Sequence, residues 1–193
     1  MSTVYAVGCN FKSSELEREW NDWYNGPKMA QMLALPMFNG VQRFTACALD
    51  TGVAYLAVWL LESPDALTTP EYVSTWGFDR WAGEITDWTR DLITPLRAPL
   101  PPVPLAEEDG LLHVAWFDGS SNVERAMKEA EDAGGGPWWW GENSGLDESF
   151  SHIAIAAAGP EAVTSPARTF TDATRETILR PISRPGRAGG EPR

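Results

Sequence analysis

Histidine and cysteine are scarce in this 193-residue chain, with two of each. Cys9 and Cys47 match no metal-ligand or redox spacing, and His113 and His152 stand far from them in sequence, which leaves little for a transition-metal site. Both thiols read as small buried strand residues. No P-loop, no G-x-G-x-x-G after a strand, no G-x-S-x-G, no H-E-x-x-H and no EF-hand pattern occurs. Gly134-Gly135-Gly136 precedes tryptophans and not a basic helix, so it is no phosphate cradle. Basic blocks are missing too. Fifteen Lys and Arg face 27 Asp and Glu, and the net charge of −12 is spread over both halves. Such a chain repels phosphate backbones and anionic lipid surfaces, which excludes nucleic-acid and membrane-surface partners. No run approaches the ~18 apolar residues that span a bilayer. The longest, Val53 to Leu61, has strand length. MSTVYAVGCNF has neither a basic n-region nor a long apolar core, so no signal peptide is expected, and a reducing cytoplasm is the expected compartment.

What the chain does have is tryptophan, ten in all. Thr3 to Cys9 reads as a strand. Ser13 or Ser14 can cap a helix, with Glu17 closing a capping box. Leu16, Trp20, Trp23 and Tyr24 then share one helical face. Gly26-Pro27 should kink or restart this helix, Lys28 to Leu35 continues it, and Pro36 stops it. Val41 to Leu49 and Val53 to Leu61 read as a hairpin around Asp50-Thr51-Gly52. Trp81, Ile85 and Trp88 at i, i+4, i+7 predict a second helix over 71–92, with a short strand near Leu96 after Pro95. Residues 98–109, APLPPVPLAEED, have linker composition. The pattern then restarts: strand 110–117, helix 122–133, a short strand over 138–142, strand 150–158 and helix 169–179, before a tail over 181–193 of disordered composition. The expected architecture is α+β. It has two tandem ferredoxin-like βαββα(β) units, 1–97 and 110–180, joined by the linker 98–109.

The E-W-N-D-W-Y helix of residues 19–24, and the L-A-L-P-x-F turn of 33–38 leading to Q-R-F at 42–44, carry a family resemblance. With the doubled unit, they resemble the dimeric α/β-barrel superfamily, and within it the EthD-like branch. The motif match covers residues 5–44, and the remainder matches by element order. The resemblance implies a dimeric α/β-barrel fold, as a homodimer or a two-unit barrel. It implies function far less, because the superfamily includes cofactor-free oxygenases, polyketide cyclases, lactone isomerases, haem enzymes and proteins without known activity. Related sequences often place a His one turn after the W-Y pair; here Lys28 stands there and can bind an anionic group instead. The haem branch uses an axial His on a helix, whereas His113 and His152 fall in predicted strands.

Those two histidines are the candidate general bases. They lie on the first and third strands of the second unit, which are adjacent in a ferredoxin-like sheet, and imidazole suits proton transfer near neutral pH. Two unrelated structural histidines are the alternative. Trp20, Trp23 and Tyr24 form an aromatic face that either lines a ligand cleft or simply packs. The Tyr24 hydroxyl and Asn10 are candidate holders of a developing oxyanion, and Asn10 can equally serve its turn. Arg43 can anchor a carboxylate. Trp138-Trp139-Trp140 should alternate in direction as a strand, and serves as a flap, a core element or a dimer contact. The leading expectation is a cofactor-independent cyclase, isomerase or lyase. It would act by proton transfer on a small aromatic or polyketide-like molecule, with His113 or His152 as base and Trp20, Trp23 and Trp139 as stacking surfaces. A non-catalytic small-molecule binding or assembly protein, and a haem or oxygen-using enzyme, are the other readings.

Overall fold

A computed structural model of the chain describes residues 3–48, 52–96, 106, 110–132, 137–164 and 168–189. The turn at 49–51 and, Ala106 apart, the proline-rich stretch 98–109 lie outside them. Strand β1 (Thr3–Phe11) leads into helix α1 (Glu17–Trp23), a π turn (Tyr24–Lys28) and α2 (Met29–Leu33). Then come β2 (Phe38–Ala48), β3 (Tyr55–Leu61), α3 (Pro70–Thr75) and β4 (Ile85–Pro95). The second half runs β5 (Leu111–Phe117), α4 (Val123–Asp132), β6 (Trp139–Leu146), β7 (His152–Ala158), α5 (Glu161–Thr164), β8 (Arg175–Pro181) and β9 (Gly186–Arg187).

The strands form one antiparallel sheet in the order β3-β1-β4-β6-β7-β5-β8-β2, and the β2–β3 pairing closes it into a barrel, with β9 added on β2. The barrel closes within a single chain. Each half contributes four strands in the same order, β2-β3-β1-β4 and β6-β7-β5-β8, and the halves meet at two seams, β4–β6 and β2–β8.

Side-chain alternation sorts each strand between barrel interior and outer surface. Val4 and Ala6 of β1 and Leu56 and Val58 of β3 point inward, where they meet Val114, Trp116, Trp139, Ile153 and Ile155. Tyr5, Val7, Cys9, Tyr55, Ala57 and Trp59 point outward beneath Trp20, Tyr24, Met29 and Met32 of the first helical layer. Both faces are buried, so these strands read as continuous apolar runs. On the second half, Ala115, Phe117 and Ala154 are covered by Ala126, Met127 and Ala130 of α4, together with Trp140 and Phe170. Asn122 caps α4, its Oδ1 accepting the Arg125 amide at 3.0 Å.

Several expected features differ. The helix expected over 71–92 is a single turn and a half. Thr69 caps it by accepting the Tyr72 amide, Gly77 at φ +108 ends it, and residues 85–95 become β4, which also absorbs the strand expected near Leu96. The positions Trp81, Ile85 and Trp88 fit a helical period by coincidence. Pairing on both sides, with β1 and with β6, decides the outcome. The helix expected over 169–179 is strand β8, whose Thr177-Ile178-Leu179 run is buried on both faces between β5 and β2. Glu17 closes no capping box, since its carboxylate accepts the Tyr55 hydroxyl instead. Residues 182–189, expected to be a tail, run beside β2: the Ile182 amide donates to Arg43 O, and β9 pairs with Gly40 and Val41.

Gly141 faces the interior two residues from Trp139, and a Cβ there would strike Ile93 Cγ2 and come within 2.6 Å of the Trp139 ring. Gly141→Ala should therefore destabilise the barrel by roughly 1–3 kcal/mol through overpacking. Denaturant unfolding is the measurement, and a loss under about 0.5 kcal/mol, the usual range of a surface change, would contradict this packing.

Candidate functional site

An aromatic cleft opens between the first helical layer and the outer face of the sheet. Its floor is Tyr5 and Val7 of β1 and Trp59 of β3, and its walls are Tyr24, Lys28 and Met32 on the helical side and Tyr72, Trp76 and Phe78 from α3 and the segment after it. Trp88 and Arg90 of β4 complete it; the free cavity between these side chains is about 30 Å³, room for about one water, and it widens only toward the solvent-facing mouth. Seven of the lining residues are aromatic. Tyr5 and Tyr72 join hydroxyls at 3.0 Å. Burial, and then the neighbouring Tyr72 phenol, hold the Tyr5 hydroxyl well above the ordinary tyrosine range, so it stays protonated near neutrality. At the mouth, the Arg90 guanidinium lies 4.6 Å from the Trp76 ring and 5.1 Å from the Trp88 ring. Both indoles are about two-fifths exposed.

The π turn places the helical wall. Gly26-Pro27 interrupts the α-helical ladder, and the Met29 amide reaches back five residues to Tyr24 O. Tyr24 and Lys28 are consequently both buried against the cleft. Lys28 Nζ donates to Thr75 O at 2.7 Å, and burial draws its pKa below the ordinary lysine value, against a smaller upward pull from Asp79. Burial pushes the Tyr24 hydroxyl up to about 12. Behind Tyr24 sits Arg43, 1% exposed, its guanidinium 4.0 Å from the Tyr24 ring centroid and 4.7 Å from that of Trp20. Nη1 donates to Asn25 Oδ1 at 2.7 Å; among the described residues Nη2 has no hydrogen-bond partner and no carboxylate pairs with this cation. Burial lowers its pKa to about 10.

The expected site residues scatter. Tyr24 and Lys28 line the cleft. Trp23 is half-buried beside it, against the Tyr24 ring. Trp20 is fully buried in the layer below, stacked on Phe11 at 4.6 Å. Trp139 is in the barrel interior, and Trp138 and Trp140 lie on the outer face, as strand alternation requires. Asn10 clamps a turn: its Oδ1 accepts the Ala54 amide at 2.6 Å and its Nδ2 donates to Asp87. The two histidines are not brought together. The β5–β7 register sets His113 opposite Ala156 and His152 opposite Phe117, four positions apart, or about 13 Å along the strand. His113 Nε2 instead bonds Glu176 Oε2 at 2.8 Å, beside the Trp138 ring. His152 lines a separate recess with Asp118, Glu142 and Glu148. Tyr5, Trp59, Tyr72, Trp76, Phe78, Trp88 and Arg90 were not expected as site residues. The alternation of Trp88 and Arg90 within D-W-T-R-D is the one local signal that they share a strand face.

No family model matches the chain, and no curated protein does. Solved structures do. An anthrone oxidase-like protein superposes with a TM-score of 0.63 at 10% identity, covering 98% of this chain and 94% of that one. A mutant chlorite dismutase from Candidatus Nitrospira defluvii gives 0.53 at 11% identity, and a haem-binding protein from Thermus thermophilus gives 0.53 at 12%, each covering 94% of this chain and 91% of its own. The chain has the dimeric α/β-barrel fold. These neighbours, an oxidase-like protein, a chlorite dismutase and a haem-binding protein, together with the separation of the two histidines, overturn the expected proton-transfer cyclase, isomerase or lyase. A haem does not fit the histidines present. His113 commits Nε2 to a buried carboxylate, and the recess at His152 is lined by three acids that repel haem propionates.

Glu176 is fully buried, and besides His113 it accepts the Thr169 and Phe170 amides. Burial pushes its carboxyl up, but these hydrogen bonds outweigh burial and hold it below the ordinary range. A carboxyl that titrates lower in the folded chain stabilises the fold at neutral pH, and that contribution is lost as pH falls below about 4.3 through the folded value. Glu176→Gln should lose roughly 3 kcal/mol at pH 7 and show a shallower acid limb than the parent. Unfolding curves at several pH values decide this; parental stability and an unchanged acid slope would mean that the His113–Glu176 pair does not hold β8 in place.

Proposed function

We propose that the cleft takes up a flat, electron-rich aromatic molecule, and that this molecule is oxidised there with O2 as the oxidant. The observation that carries the reading is the lining of the cleft: seven rings, two of them the paired phenols Tyr5 and Tyr72, where helix and sheet part, with the half-exposed Trp76 and Trp88 at the mouth. Rings on floor and walls suit offset and edge-on contacts with a polycyclic ligand. The Tyr5–Tyr72 pair presents hydroxyls that can hold a substrate oxygen. The whole-length likeness to an anthrone oxidase-like protein supports a substrate with a carbonyl and an activated methylene between aryl groups. For such a methylene, two C–H bonds break, one oxygen of O2 becomes the new carbonyl and the other leaves as water.

The matching strand orders of the two halves support reading them as tandem ferredoxin-like units, divided within the proline-rich stretch 98–109. The E-W-N-D-W-Y and L-A-L-P-x-F motifs support placement in the EthD-like branch.

A tricyclic anthrone should quench tryptophan fluorescence saturably and drive oxygen uptake in an electrode cell, one O2 per molecule oxidised. Trp59→Ala should weaken binding about tenfold, in line with the loss of a buried aromatic contact. Tyr72→Phe should slow uptake more than it weakens binding. Absence of saturable binding across a set of tricyclic ketones and phenols would sink the cleft reading. Binding without oxygen uptake would sink the oxidation.

A further inference from the structure

The charge lining the cleft runs against the charge of the molecule. The chain carries 27 acids against 15 bases, yet the charged residues that line the cleft are Lys28 and Arg90, with no carboxylate among the described lining residues. Both lining phenols that burial perturbs, Tyr5 and Tyr24, are pushed upward and so add no negative charge near neutrality. Behind the Tyr24 wall stands Arg43, buried, held by ring faces and one neutral amide, with Nη2 unpartnered among the described residues. Carboxylates do approach this set from outside. Asp147 lies 3.8 Å from the Arg90 guanidinium, Asp79 acts on Lys28, and Glu17 is bound to the Tyr55 hydroxyl, whose ring lies 5.7 Å from Arg43. None of the three lines the cavity.

Resting on the reading of the cleft as an aromatic-ligand site, we infer that it selects an aromatic anion over its neutral counterpart. The class is an aryl carboxylate, phenolate or enolate. Arg90 and Lys28 are its direct partners, and Arg43 is a fixed positive charge in the layer behind. A low-dielectric, ring-lined cavity strengthens each of these attractions relative to water. Two cations inside an acidic protein also draw anions toward a mouth that the rest of the surface repels.

The test is a matched pair of probes, naphthalene-2-carboxylate and naphthalene-2-carboxamide, titrated by tryptophan fluorescence at constant ionic strength. The carboxylate should bind about tenfold more tightly, the increment typical of a charge-assisted hydrogen bond. Arg90→Gln and Lys28→Met, each checked for folding by its thermal midpoint, should each reduce that ratio several-fold. Equal affinities in the parent protein would overturn the inference and leave the aromatic-site reading intact. A ratio untouched by both substitutions, or both affinities falling together, would show that these residues shape the cavity without reading charge. If neither probe saturates while the tricyclic ketones do, the inference fails on its own; if none of them binds, the cleft reading fails with it.

Discussion

Two seams hold this molecule together. Each half makes a four-stranded sheet whose outer strands would otherwise present rows of unpaired amides and carbonyls. Pairing β4 with β6 and β2 with β8 removes those edges and turns two open sheets into one closed wall. Closure then dictates the rest. Inward side chains must fill the barrel, which is why Trp139 and Trp116 meet aliphatic residues of several strands there, among them Val4, Val58, Val114, Ile153 and Ile155. Outward side chains must be covered by helices. Where the cover fits closely, the result is core. Where it stands back, the result is a cleft.

The two halves solve the covering problem differently. Over the second half, Trp138, Trp140 and Phe170 crowd the sheet face with ring centroids 4.9 to 6.5 Å apart, and the space under α4 is filled. Over the first half, α3 is short, and the segment after it turns away at Gly77, leaving Trp59 and Tyr5 at the bottom of a cavity. A doubled architecture thus has one helix–sheet space closed over by rings and one that parts at a mouth lined by Trp76 and Trp88.

Much of the scaffold was legible in the sequence. The first strand, the Gly-Pro interruption, the hairpin strands, β5, α4 and β7 follow from alternation, apolar periodicity and breakers. β4 and β8 were read as helices because pairing partners, not local pattern, decide a strand buried on both faces. Trp88 and Ile85 mimic a helical spacing, and the Asp87 backbone at φ +49 breaks the alternation that would have corrected it. The site was legible only in part. Tyr24 and Lys28 were found because they share a helix with a recognisable motif. Tyr5, Trp59, Tyr72 and Trp88 come from four separate segments, and only the sheet order brings them together. The histidine pair failed on register: neighbouring strands were expected correctly, but four positions of offset cannot be read from either strand alone.

The π turn has a consequence of its own. It amounts to one residue more than a regular helix would need between Trp23 and Met29. The turn takes up that residue in its width and not in rotation, so the helix keeps its phase across it: Trp20 and Tyr24 before the break and Met29 and Met32 after it face the same sheet. In a regular helix the same extra residue would turn one flank against the other by about 100° and carry one pair of side chains off the core. The Gly26-Pro27 break is thus a splice that lets the segment hold a residue more without losing either contact face.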